Sequence, residues 1–317
     1  MIDLHCDTLS VLYETKKGTL MENDFDVDRN KLKKAGSVAQ FFACYIDMSK
    51  IEGENKEEQG FLYVWNLLNL GKSEFEAVAS DIVLTKSYEE YKDNLKNEKI
   101  SAFLTVEEGG IIGNDISKLH KLYDAGARLV TLTWNFENSI GFPNSTDSTI
   151  MQKGLKKFGF QVVEEMNEMG MIIDVSHLSD GGFFDVLTHS KKPVIASHSS
   201  ARALCSHQRN LTDEMIKALA EKGGIAGVNF YPLFLSGCDI ASSETVAEHL
   251  KHMINVGGED FVALGSDFDG FSPPLEDVKN IGQIETLFHT LKRNGISERQ
   301  LEKLKITNAK RIIKEIL

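Results

Sequence analysis

Paired cysteines are missing from this chain. Its four, Cys6, Cys44, Cys205 and Cys238, lie far apart, and none falls in a Cys-x-x-Cys spacing. That excludes a zinc knuckle and a disulfide framework and leaves all four reading as reduced thiols. Only five prolines occur, and no Pro-rich linker, low-complexity tract or fixed-period repeat interrupts the sequence. One continuous domain over residues 1–317 is therefore expected. No apolar run approaches the roughly 18 residues that a membrane helix needs. Basic charge is scarce as well: 35 Lys and Arg stand against 47 Asp and Glu, for a formal net charge of -12 and a pI near 5.3. Nucleic acids and anionic membranes both want clustered cations, so neither is an expected partner. The first apolar run begins at residue 2, which leaves no room ahead of it for a charged and apolar leader, and a cytoplasmic location is expected.

What the chain does have is 42% hydrophobic and 26% charged residues, the balance of a globular protein with ample material for a closed core. Eight short runs rich in Val, Ile, Phe and Ala stand at 2–7, 38–46, 100–108, 128–134, 171–177, 193–198, 224–230 and 261–268. Amphipathic stretches separate them, at 57–80, 87–96, 116–125, 154–169, 180–188, 213–221, 243–256 and 284–293. Parallel strands covered by helices read this way, and eight of them predict an α/β fold of the TIM-type (β/α)8 barrel class, with extra C-terminal helices. Thr212 stands where a helix should start, and Gly170, Gly223 and Gly257 where helices should stop. The last helices, through Ile312 and Ile316, are expected on the outside of the barrel. Loops 48–56 and 137–153 follow strands and are expected at the rim.

Metal-type side chains recur at the ends of these runs. His5 and Asp7 are two apart, so in a strand they face the same way. Glu107 and Glu108 end the third run, His177 the fifth, His198 the sixth and Asp267 the eighth. A lone His-x-Asp is a chance-level pattern. In a barrel, however, the carboxyl ends of all strands converge on one face, and five such coincidences there point to a metal site. The residues alone leave Glu107 and Glu108 equivalent. Imidazole plus carboxylate suits zinc, and a bridging carboxylate can hold two cations roughly 3.5 to 4 Å apart. Asp267 is the candidate catalytic base, able to take a proton from water, whereas Asp269 reads as the residue of the Asp-x-Asp-Gly turn.

The opening His5-x-Asp7, the Glu108-Gly109-Gly110 turn, Asp174-Val175-Ser176-His177, Ser197-His198-Ser199-Ser200-Ala201, Arg209-Asn210 and Gly265-Ser266-Asp267-Phe268-Asp269-Gly270 together resemble the membrane, or renal, dipeptidases. These form peptidase family M19 of the metal-dependent amidohydrolase superfamily, and the likeness runs from end to end. The resemblance implies a dipeptide substrate with a free C-terminal carboxylate, tolerance of a D-residue at that position, and two divalent ions, zinc by preference, sharing a water or hydroxide. It implies that His5, Asp7 and Glu108 hold one ion, and that His177, His198 and the shared Glu108 hold the other. Arg209 becomes the clamp for the substrate carboxylate, which a planar guanidinium binds bidentately. Asn210 and Tyr231 are further substrate-binding candidates, and the resemblance also implies pairing as a homodimer.

One position departs from the vertebrate pattern. Trp134 stands where a histidine is expected to steady the oxyanion, so that role falls to Trp134, to Asn135 or to a metal ion. His120, His189, His207, His249, His252 and His289 read as structural or solvated. Two alternatives remain: a metal hydrolase of another amide, lactam or lactone, and a barrel that binds without turnover. A positioned Asp267 argues for turnover.

Overall fold

In the computed structural model, which describes residues 1–317, nine parallel strands form one sheet. They are β1 (Ile2–Asp3), β2 (Ala39–Tyr45), β3 (Ile82–Leu84), β4 (Ile100–Glu107), β5 (Ala127–Thr131), β6 (Ile172–Asp174), β7 (Ile195–Ala196), β8 (Ile225–Val228) and β9 (Val262–Leu264). The order β2-β1-β9-β8-β7-β6-β5-β4 closes on itself through a β2–β4 pairing that runs from Ala39 opposite Ser101 to Tyr45 opposite Glu107. Eight strands thus make the TIM-type barrel. β3 is an addition that the sequence did not announce. It pairs with 100–102 of β4, while β5 pairs with 104–107 along the same edge. Three residues between two helices are too short to show a period.

The strands read as continuous apolar runs because both of their faces are buried. Phe41, Phe103, Leu129, Ile172, Ile195 and Ile225 fill the barrel, whereas Phe42, Leu104, Val130, Ile173, Ala226 and Leu264 join the outer core beneath the helices. Helices over Lys56–Ala77, Tyr88–Lys96, Ile116–Asp124, Lys157–Met169, Asp180–His189, Asp213–Glu221, Ser243–Gly257 and Glu285–Arg293 lie within a few residues of expectation. Thr212 caps its helix by accepting from the Met215 N–H, and Gly170 ends another at φ 72°, a left-handed conformation that glycine adopts without strain. A helix over Thr8–Thr15, directly after Asp7, was not expected.

The C-terminal helix Asn308–Ile316 is the main correction to the fold. Ile312, Ile313 and Ile316 pack with Ile2, Phe41 and Phe103 in the inner cluster. Asn308 Nδ2 donates to the carbonyls of Val262 (2.8 Å), the first residue of β9, and Glu259 (2.9 Å), just before it, and Arg311 donates to Gly223, just before β8. The helix therefore plugs the N-terminal end of the barrel instead of lying outside it. Its periodicity marks an apolar face but not the surface which that face covers.

Candidate metal centre

The open, C-terminal end of the barrel holds the predicted ligands. β1 delivers its pair by an irregularity and not by simple alternation. Ile2 and Leu4 pack inside the barrel and Cys6 in the outer core, so the alternation breaks between Leu4 and His5 and lets His5 and Asp7 both reach the centre. Asp3 anchors the irregular stretch, accepting from Ser266 N (2.8 Å), Ser266 Oγ (2.6 Å) and Gln40 Nε2 (3.0 Å).

Glu107, not Glu108, lies at the middle. Its Oε2 is 3.3 Å from His5 Nε2, and its Oε1 is 3.0 Å from His177 Nε2 and 3.4 Å from His198 Nε2. His5 Nε2 also lies 3.3 Å from Asp7 Oδ2 and 3.7 Å from Asp267 Oδ1. Glu108 takes a positive φ of 109° and turns its carboxylate away. There it accepts from the backbone N–H groups of Gly110 and Trp134 and from Asn138 Nδ2 at 2.6 Å. The ligand assignment to Glu108 is thereby corrected to Glu107. β4 puts successive side chains on opposite faces, and only the parity of Glu107, shared with Phe103, points inward.

The histidine tautomers fit a cation. Asp174 lies in register with Thr131, itself opposite Glu107, and accepts from Thr131 Oγ1 (2.7 Å) and Ser197 Oγ (2.6 Å). With its proton so placed, Ser197 Oγ accepts from His198 Nδ1–H (2.7 Å), while Asn135 Oδ1 accepts from His177 Nδ1–H (2.9 Å). Both Nε2 lone pairs then face one point, 3.1 Å apart, beside a carboxylate. Oriented imidazoles of this kind are what metal ligands show. His5, Glu107 and His198, and again His5, Asp7 and Asp267, offer ligand atoms within 4.8 Å of one another. His5 Nδ1, His5 Nε2 and Asp7 Oδ1 are buried without a hydrogen-bond partner. Buried polar atoms are seldom left so, and a divalent ion would satisfy them.

The ionisation states agree. Burial alone would raise Glu107, but the charge of His5 and bonds from His177 and His198 hold it well below the ordinary carboxylate value. Burial likewise opposes protonation of His5, yet Glu107 and Asp7 lift it well above the usual imidazole range. Burial lifts Asp7 to about 6 against the pull of His5. It lifts Asp267 to about 8, again against His5, with Asp7 and Glu107 adding to the rise. His177 falls to about 4 through burial and the Arg209 charge, and His198 falls well below its ordinary value through burial, His5 and Arg209. Three acidic side chains, Asp7, Glu107 and Asp267, crowd around a His5 that their charge holds protonated, with His177 and His198 neutral beside them, and a bound cation could take the place of that proton. His177 and Asp267 sit at φ 69° and 64°, a left-handed conformation that L-residues adopt sparingly and that clusters at functional sites.

A cavity of about 270 Å³ opens onto this centre, lined among others by Tyr45, Glu107, Trp134, Asn135, Arg209, Tyr231 and Asp267. Arg209 is buried, donating to Ser199 Oγ (3.1 Å) and the His198 carbonyl (3.0 Å), and its Nε has no partner. Tyr231 stacks on Phe271, ring centres 5.2 Å apart, and Trp134 packs edge-on against Tyr45 at 5.0 Å. Asn210 does not line the cavity. Its Nδ2 donates to the carbonyls of Cys205 and Phe234, and it holds the loop that carries Arg209, which corrects its assignment to the substrate. Asp269 lines the same cavity and accepts from Thr8 Oγ1 and the Asp26 N–H, tying the start of the chain to the loop after β9. Sequence reasoning missed Asn229, whose Nδ2 orients Asp267 Oδ2 at 2.9 Å, and the supporting roles of Asp174 and Ser197; nothing local marks them out. No helix is long and apolar enough to cross a membrane.

Comparison with known proteins agrees with this geometry. The family model for membrane dipeptidase (peptidase family M19) matches residues 1–317. An uncharacterized protein of the pqqA 5' region of Klebsiella pneumoniae is 34% identical over 235 residues, covering 71% of this chain and 85% of that protein. An uncharacterized dipeptidase of Schizosaccharomyces pombe is 28% identical over 342 residues, 99% of this chain and 80% of the relative. Among solved structures, the metallopeptidase dipeptidase AC of family M19 superposes with a TM-score of 0.90 at 26% identity, covering 99% of this chain and 98% of its own. A Rhodobacter sphaeroides metallopeptidase, liganded with a phosphinate mimic of L-Ala-D-Ala, superposes at 0.86 with 25% identity over 100% of this chain and 99% of that one.

Proposed function

The chain belongs to the membrane dipeptidase family, peptidase family M19, and from that premise we propose that it hydrolyses the peptide bond of dipeptides bearing a free C-terminal carboxylate, of L-L and L-D configuration. In this reading Glu107 would hold two divalent ions together with His5 and Asp7 on one side and His177 and His198 on the other. Zinc suits these imidazole and carboxylate donors, and when bound it supplies positive charge that polarises a carbonyl oxygen and acidifies water.

The protein's own groups do the rest. Arg209 grips the carboxylate of the substrate and fixes the distance from chain end to scissile bond. Asp267, steered by Asn229, takes the proton of the attacking water and passes it to the departing amine. Cations beside it favour the ionised carboxylate that a base requires. The observation that carries the reading is Arg209: a buried guanidinium with an unpartnered Nε and no carboxylate of its own, on the wall of the cavity that holds Glu107. A neutral lactam or lactone has no use for it.

The test is cleavage of L-Ala-L-Ala and L-Ala-D-Ala beside their C-terminal amides. Hydrolysis of the free acids with the amides slowed at least about a hundredfold is expected, since a buried charge would lose its partner. Equal cleavage of acids and amides would remove the clamp and with it the dipeptidase reading.

A further inference from the structure

The cavity over the metal centre does not end at Arg209. Asn135, His177, Arg209 and Phe234 also line a second cavity of about 400 Å³, so the two are lobes of one cleft that meet at the guanidinium. The remaining wall of this second lobe is Asn144, Ser145, Thr146, His207 and Gln208, without a carboxylate and without an aliphatic side chain. Several of its polar groups are idle. His207 Nδ1 accepts from the Arg209 N–H (3.2 Å), which places the ring proton on Nε2, and Nε2 has no partner. Asn144 spends its Nδ2 on the His177 carbonyl (2.9 Å) and keeps Oδ1 free. Gln208 and Thr146 make no side-chain hydrogen bonds. Tyr231 and Phe234, with Phe271 stacked on Tyr231, give the main lobe an aromatic wall, and Phe234 stands at the junction because it lines both lobes.

We propose that this polar lobe receives the side chain of the substrate's C-terminal residue and selects side chains ending in a carbonyl or carboxylate oxygen, as in Gln and Glu. The proposal rests on the dipeptidase reading of the main lobe. Once a carboxylate is on Arg209 and the scissile bond is at Glu107, the Cα of the C-terminal residue lies at the junction of the two lobes. From there its side chain can extend into the polar lobe or back into the main lobe along Tyr231 and Phe234. His207 Nε2–H and the Gln208 amide donate to an oxygen placed in the polar lobe, while the Arg209 charge repels a Lys or Arg side chain there. Inverting the Cα exchanges side chain and hydrogen, so L- and D-residues present their side chains to different walls, and the selectivity belongs to one of the two configurations.

The experiment is kcat/KM of the metal-loaded enzyme for L-Ala-Xaa with Xaa as Ala, Leu, Gln, Glu and Lys, in L and D series. In one series Gln and Glu should exceed Leu and Lys by about tenfold, the worth of one or two net hydrogen bonds. In Gln208→Leu, a side chain that the fold does not use, the Gln-to-Leu ratio of that series should fall towards unity. Preference for Leu or Lys in both series, or a ratio unmoved by Gln208→Leu, overturns the proposal while leaving the dipeptidase reading intact. Failure to cleave any member of the panel overturns both.

Discussion

At the N-terminal end of the barrel, Ile312, Ile313 and Ile316 fill the mouth, and Asn308 and Arg311 donate to the carbonyls around it, leaving Asn308 Oδ1 as the one unpartnered buried side-chain atom of the plug helix. At the other end of the same strands, His5 and Asp7 are equally buried but leave polar atoms without partners, and Glu108, His177, Asp267 and Asp269 all take positive φ. Those four are the majority of the seven non-glycine residues in that conformation, so strain is concentrated at one rim. The contrast separates two tasks. A closed apolar end stabilises the fold, whereas an open end of unsatisfied donors and like charges costs stability until a ligand binds and offsets it.

The sharpest way to break the contrast is within the rim, between neighbours. Glu107→Ala should lose metal, read by elemental analysis, and take turnover down roughly a thousandfold or more. Glu108→Ala, which only loosens the links to Trp134 and Asn138, should keep metal and lose about ten- to a hundredfold. Reversed results would return the ligand role to Glu108. Asp267→Asn should retain metal yet lose about 10² to 10⁴ in kcat, and a near-normal rate would remove it as base. Arg209→Ala is expected to lower kcat/KM for dipeptides about a hundredfold, chiefly through KM.

At the far end the expectation inverts. Ile312→Ala should cost about 2 to 5 kcal/mol by chemical denaturation and leave kcat/KM untouched below the unfolding range. Loss of activity without loss of stability would contradict the division. The smallest effect concerns pH. Asp267 has a folded pKa near 8 against an ordinary 3.8, so the folded state binds the extra proton, and the associated stability is lost as pH rises towards 8. His177 has the opposite sign, with a folded pKa near 4 against 6.5; its contribution is present above 6.5 and lost only as pH falls from there towards 4. Between pH 6.5 and 8 Asp267 acts without opposition from His177, and His5, held well above the usual imidazole range, adds to the loss, while the buried N-terminal amine, lowered from 8.0 to about 5, works against it. The chelated protein should melt a few degrees lower at pH 8 than at pH 6.5, and a higher melting point at pH 8 would refute the assignment.

Much of this was legible in the sequence because the barrel repeats one pattern. Eight buried strands each read as an apolar run, and His5, Asp7, His177, His198 and Asp267 ended those runs where one face gathers them. Glu107 and Glu108 could not be separated that way, since adjacent residues differ only in parity, and the parity of β4 is set by its register with β2 and β5. The plug helix escaped for a related reason: an amphipathic pattern names a buried face, not its partner. Asn210 was misread because an asparagine that caps loop carbonyls and one that faces a ligand look alike in sequence.

The most direct measurement is reconstitution of the chelated protein with zinc, following hydrolysis of L-Ala-L-Ala and L-Ala-D-Ala against equivalents bound. The account predicts no turnover without metal and a plateau as the second equivalent is taken up. Full turnover in the metal-free protein, or none after loading, would contradict it.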